Sequence, residues 1–152
     1  MSKTTDPFQL SRFLVAQQVV YSAALAELKA GEKRTHWMWF IFPQLAGLGS
    51  SDMSRRYAIQ SIDEAKAYLR HPLLGERLWE CVDALLSLRG RSAAQIFGFP
   101  DDAKLCSSMT LFALAAGSGS EFDQVLERYF GGKRDERTLA LLESNKSNAE
   151  SV

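Results

Sequence analysis

Lys33-Arg34-Thr35-His36-Trp37-Met38-Trp39-Phe40-Ile41-Phe42-Pro43-Gln44 sets two cations and a histidine directly ahead of six consecutive apolar residues, four of them aromatic. Two of the three tryptophans in the chain lie here. A run of six large apolar side chains has no polar face, so it must be covered on nearly every side. Thr35 has the chemistry of an N-cap for a short helix from His36, and Pro43 would end it. A buried strand competes with that reading, but only Ile41 is β-branched and the flanks carry helix punctuation. Whichever element forms, burying it gathers Lys33, Arg34 and His36 where the segment leaves the core.

Upstream, Asp6-Pro7 with Gln9 has the form of an N-cap, a proline at N1 and a capping box. Leu10, Phe13, Leu14, Gln17, Val20, Tyr21, Ala24, Leu25 and Leu28 keep helical spacing up to Gly31, a C′ glycine. Gln17-Gln18 interrupts the apolar stripe and could bend the helix. Downstream, Gly47, Gly49, Ser50 and Ser51 make a loop, and a short turn then carries Arg55, Arg56 and Tyr57. Ser61-Ile62-Asp63-Glu64 is a capping box, His71-Pro72 breaks that helix, and a longer one spans about Leu73 to Leu88. Ser92, Asp101, Ser120 and Asp135 cap four further helices. From Met109 the third-last helix is apolar all round, which predicts the central buried helix. No segment alternates with a period of two. The expected fold is all-α: an irregular globular packing of about seven to nine short helices around a buried aromatic segment. Residues 6–143 form a single domain in this reading, with 1–5 disordered and 144–152 a frayed tail.

The chain has 152 residues, 46% hydrophobic and 24% charged, with eighteen acidic and eighteen basic side chains. A balanced charge gives no global field for nucleic acid. No apolar run approaches the ~20 residues of a membrane span, and the N-terminus lacks a signal-peptide core. Cys81 and Cys106 fall inside helical patterns as small buried hydrophobes, which fits reduced thiols in the cytoplasm. Glycine-rich phosphate loops, G-x-S-x-G, H-E-x-x-H and paired Cys-x-x-Cys are absent, so no metal site and no cofactor are implied.

The candidate chemistry sits beside the apolar anchors. Lys33, Arg34 and His36 precede the aromatic block. On a helical wheel Asp101, Lys104 and Ser108 share a narrow stripe bordering the apolar one of Leu105, Met109 and Phe112. An Asp101–Lys104 pair at a spacing of three residues is equally ordinary helix-surface chemistry. Arg55-Arg56 follows the glycine loop, and Gly131-Gly132-Lys133-Arg134 reads as a helix end followed by surface charge.

Asp6-Pro7-Phe8, Lys33 to Leu45, Tyr68-Leu69 with His71-Pro72-Leu73-Leu74-Gly75, and Ile96-Phe97-Gly98 resemble one bacterial family. So do Asp101-Asp102, Lys104-Leu105, Ser107 to Phe112 and Tyr129-Phe130-Gly131-Gly132. It is domain-of-unknown-function family 1810, whose members often carry the label "calpastatin", and the resemblance covers about residues 6 to 142. It implies an all-α fold and supplies no activity or catalytic residue. Calpastatin proper is a disordered inhibitor, whereas nine Phe, three Trp and four Tyr in periodic helical patterns belong to a folded globule, so calpain inhibition is rejected.

The favoured expectation is a domain that binds or hydrolyses an anionic small molecule, nucleotide or ADP-ribose-like. Whether it is an enzyme is left open. Lys33, Arg34, Lys104, Ser108, Gln44 and Arg56 would hold the ligand, with Trp37 or Trp39 as a flat wall for a base. His36 and Asp101 are the proton-transfer candidates. The alternative is a non-catalytic protein-interaction domain whose aromatic block is partly exposed and docks a partner. Nucleic acid is disfavoured as a partner, no membrane is expected, and a homo-oligomer is compatible with the sequence.

Overall fold

The computed structural model describes residues 6–150, with side chains as far as 145. Nine helices are found among the described residues: α1 (Ser11–Ala30), α2 (Met38–Ile41), α3 (Asp52–Arg56), α4 (Ile62–Arg70), α5 (Pro72–Ser87), α6 (Ala93–Phe97), α7 (Asp101–Ala116), α8 (Glu121–Phe130) and α9 (Glu136–Glu150). The disordered N-terminus expected at 1–5 lies outside the described residues. Where a frayed tail was expected from 144, α9 continues to Glu150.

The helix α7 is the axis of the molecule, packing against α4, α6, α8 and α9, while α5 packs against α1, α4 and α8. From Leu105 to Ala113 nearly every α7 side chain is buried, as its lack of a polar face requires. An aromatic chain crosses the core: Phe13 meets Tyr68 at 5.2 Å between ring centroids, Tyr68 meets Phe112 at 5.4 Å, and Phe112 meets Phe122 at 5.7 Å. Each such ring, taken fully out of water, contributes roughly 1.5–3 kcal/mol. Trp37, Phe42 and Phe97 form a second cluster, so the buried aromatic segment expected at 37–42 is present.

The caps show where local signals prevailed. Ser61, Ser92 and Ser120 each accept the backbone N–H three residues on, and Gly31 closes α1 in the left-handed region. His71 breaks α4 and also caps α5, its Nδ1 accepting from Leu73 and Leu74 at 3.1 and 3.2 Å. Three details differ from expectation. Asp6 takes the N–H groups of Leu10 and Ser11 at 2.7 and 3.0 Å, so a turn fills 6–9 and the helix starts at Ser11. Gln17 does not bend α1: its amide donates to the Phe40 carbonyl at 2.7 Å and the Tyr68 hydroxyl at 3.0 Å. Its Oε1 accepts from Arg77, so a buried polar group is fully paired inside a continuous helix. Asp101 is the first residue of α7, which Pro100 caps without a side-chain bond, because the Asp101 carboxylate is used elsewhere.

Gly75 shows how tightly α4 and α5 meet. A Cβ there would lie 2.2 Å from the Leu69 carbonyl oxygen, a backbone atom that cannot step aside. Gly75→Ala should therefore lower stability by about 2–3 kcal/mol, although alanine is the better helix former. Denaturant titration checks this, and an unchanged midpoint would contradict the packing.

Glu121, at the start of α8, stands against Asp83 of α5. The hydrogen bond to Asp83, partial burial and like-charge repulsion push its carboxyl up to about 7. A carboxyl raised on folding stabilises the protonated form. That contribution is complete below the ordinary value of 4.5 and is lost as pH rises through about 7. Native Glu121 should thus make the chain less stable at pH 8 than at pH 5.5, and Glu121→Gln should flatten that difference in thermal melts.

Candidate functional site

The site begins at the end of α1. After the Gly31 cap, Glu32 N–H bonds the Glu27 carbonyl at 3.0 Å, and Lys33 N–H bonds the Ile96 carbonyl at 2.7 Å, tying the strand-like segment to the end of α6. The Glu27 carboxylate then collects four donors. Arg34 N–H (2.6 Å), Thr35 N–H (2.9 Å), the Thr35 hydroxyl (2.6 Å) and the Trp37 indole N–H (2.9 Å) all bond to it. Burial alone would raise its pKa, but these bonds outweigh it and bring the carboxyl down to about 2. Thr35 is thereby occupied, and α2 is a single turn capped by Trp37 without side-chain help.

With 33–37 fixed in this way, Lys33 points inward. Its side chain is only 7% exposed; Nζ lies 2.9 Å from Asp101 Oδ2, donates to the Thr35 carbonyl at 2.7 Å and sits 5.0 Å from the Trp37 ring centroid. The other Asp101 oxygen lies 3.4 Å from Lys104 Nζ, and that ammonium rests 5.1 Å from the Trp39 ring centroid. Lys33, Asp101, Lys104, Trp37 and Trp39 thus form one cluster, two ammonium groups around one carboxylate against two indoles. Lys33 is consumed by the fold, whereas Lys104, a quarter exposed, retains donors toward solvent.

Two depressions meet beside this cluster. The first, about 320 Å³, is walled by Trp39 and Tyr57 with Arg55 at its edge. The second, about 300 Å³, is lined by Lys104, Ser107, Asp135 and Arg137. They adjoin at Gln44, Gly49 and Ser54, which line both, and together form the candidate cleft. Beside it a bridge joins Leu45 and Ile59, with Ala46 N–H on the Ile59 carbonyl and Ile59 N–H on the Gln44 carbonyl, both at 2.8 Å. The Trp39 indole N–H is buried in the wall and has no partner among the described residues.

The remaining sequence-nominated residues fall elsewhere. His36 is exposed and makes no hydrogen bond to a described residue. Arg34 is 72% exposed and faces Glu32. Trp37 is fully buried, so it cannot stack on a ligand. Arg56 lies over Tyr57 and borders a separate depression with Pro7, Gln9 and Arg12. Ser108, one turn past Lys104, is buried because α7 has by then entered the core, and its hydroxyl has no partner among the described residues. Ser54, Ser107, Asp135 and Arg137 belong to the cleft although sequence reasoning did not nominate them, and Tyr57, which follows the Arg55-Arg56 doublet, lines it too. For Arg137 no local signal existed, since it reaches the site only through the packing of α9 on α7 and its own bond to the Leu48 carbonyl at 3.2 Å.

Cys81 and Cys106 are free thiols; burial pushes Cys81 up to about 12 and raises Cys106. No group of three or more His, Cys, Asp or Glu among the described residues could hold a metal, and no described helix is long and apolar enough to cross a membrane.

These features define a class: a small all-α domain whose polar cleft lies between a tryptophan-bearing segment and the N-terminal turns of a central helix. The chain belongs to the family described as "Protein of unknown function (DUF1810)", which matches residues 7–142. The chain is also similar to the conserved hypothetical protein Rv1873 from Mycobacterium tuberculosis, known from a crystal structure. The two share 56% sequence identity with a TM-score of 0.89, over 91% of this chain and 99% of that one. No curated protein matches the chain.

Proposed function

We propose that the chain binds an anionic small molecule, nucleotide or ADP-ribose-like, in the cleft between Trp39 and Lys104. The observation that carries this reading is the order of groups along the cleft. An aromatic wall of Trp39 and Tyr57 adjoins, through the shared Gln44, the depression that carries the cations Lys104 and Arg137. A base or other flat group gains dispersion against the rings. Phosphate oxygens gain charge-assisted bonds from the ammonium and guanidinium. Gln44, with a donor and an acceptor between the two ends, suits the sugar or the base edge.

Binding is better supported than hydrolysis. Asp101 is occupied by two ammonium groups, and neither Asp101 nor His36 lines the cleft. A group that removes or delivers a proton must come within hydrogen-bond reach of the reacting atom. The protein-interaction alternative required a partly exposed aromatic block; Trp37, Met38, Ile41 and Phe42 are buried, and Trp39 and Phe40 are half-buried. Val15 and Val19, exposed one turn apart on α1, make too small an apolar patch to favour it.

The test is a thermal-shift series with AMP, ADP, ADP-ribose and NAD, followed by calorimetric titration. Stabilisation that grows with ligand concentration is expected, as linkage requires of a ligand that binds the native state. No response to any of them at millimolar concentration would overturn the proposal.

A further inference from the structure

We infer that the ligand is a dinucleotide, two bases joined through a pyrophosphate, because the cleft continues past its cationic stretch to a second aromatic group. This rests on the reading that the Trp39–Lys104 cleft takes an anionic ligand. A third depression, about 360 Å³, shares Asp135 and Arg137 with the second and is lined beyond them by Phe130, Cys106 and Lys133. Taken through these shared residues, the three linings run aromatic, cationic, aromatic: Trp39 and Tyr57, then Lys104 and Arg137, then Phe130.

The charge pattern fits that order. Asp135, the acid at the junction, already accepts from the Ser107 hydroxyl at 3.1 Å, Thr138 N–H at 3.0 Å and the Thr138 hydroxyl at 2.5 Å, so its charge is absorbed locally. Arg137 spends one nitrogen on the Leu48 carbonyl and keeps its other donors for an anion. Lys133 is exposed and lines the third depression together with Arg134 and Glu136. A mononucleotide occupies the aromatic wall and part of the cationic stretch and leaves Phe130 unused. A pyrophosphate bridging two nucleosides places its charge at Lys104 and Arg137 and carries its second base toward Phe130, which is half-buried at the end of α8.

The test compares ADP with diadenosine pyrophosphate by calorimetry on the full chain, with a short single-stranded oligoadenylate as a third probe. One added base–aromatic contact should tighten binding by about tenfold or more. Phe130→Ala should remove that advantage and leave the ADP affinity unchanged; Phe130→Leu, which keeps packing volume but not the flat ring, should do the same if the alanine variant folds poorly. ADP binding with no gain from the second base, or a gain that survives both Phe130 variants, overturns this inference while leaving the cleft itself as the site. Binding of neither compound removes the underlying reading as well. Tighter binding of the oligoadenylate than of diadenosine pyrophosphate overturns the dinucleotide in favour of single-stranded RNA.

Discussion

Lys104→Ala is expected to weaken nucleotide binding by roughly 10–100-fold, the equivalent of one charge-assisted hydrogen bond. The stabilisation seen with the native chain should largely disappear. Lys104 is the cation of the central cluster that still faces the cleft, since Lys33 is spent on Asp101 and the Thr35 carbonyl. The substitution leaves Asp101 paired with Lys33 at 2.9 Å, so the carboxylate is not stranded. A partly exposed ion pair contributes about 0–1 kcal/mol, and the unliganded melting temperature should hardly move. That separation makes the variant informative: affinity falls while the fold persists. Full ligand response in Lys104→Ala would sink the assignment of the cationic end. Lys33→Ala should instead lower stability, because it removes a nearly buried ammonium from Asp101 and from the Trp37 face.

Glu27→Ala should be the most destabilising single change at a partly exposed polar position. It strips acceptors from two backbone N–H groups, a hydroxyl and a buried indole N–H at once. Losing bonds to a charged acceptor and leaving donors unpaired costs about 3–5 kcal/mol. At the usual conversion for a chain of this size that is a fall in Tm on the order of 10 °C. The same carboxylate predicts an acid limb. Its pKa falls on folding from 4.5 to about 2, so its contribution is complete above 4.5 and is lost as pH falls through about 2. Comparing melts of the native chain and Glu27→Gln from pH 6 to pH 2.5 should show the two converging at the acid end. Melting temperatures within a degree of each other at pH 6 would contradict this role for Glu27.

Much of the fold was legible in the residues. Serine caps at 61, 92 and 120, the His71-Pro72 break and the αL glycines are local chemistry, decided within a turn of backbone. The burial of Trp37, Met38, Ile41 and Phe42 and of the middle of α7 followed from the apolar pattern. Less of the site was legible. Of the residues nominated from the sequence, Lys104 and Gln44 line the cleft and Asp101 stands beside it, whereas Trp37 and Ser108 lie in the core and His36, Arg34 and Arg56 lie outside the cleft. The wheel put Ser108 on the stripe of Lys104. It carries no information on where a helix passes from surface to interior.

By itself the sequence determined the helical class, most helix ends and the existence of an aromatic interior, because those depend on spacing and on the cost of leaving apolar side chains in water. Only the tertiary structure decided that Glu27 would gather the 34–37 segment, that Lys33 and Lys104 would face one carboxylate, and that Arg137 would reach the cleft from 33 residues beyond Lys104. The Lys33–Asp101 pair and the approach of Arg137 join elements far apart in the chain, and their geometry is fixed by how the segment after α1, α7 and α9 pack, which no local pattern encodes.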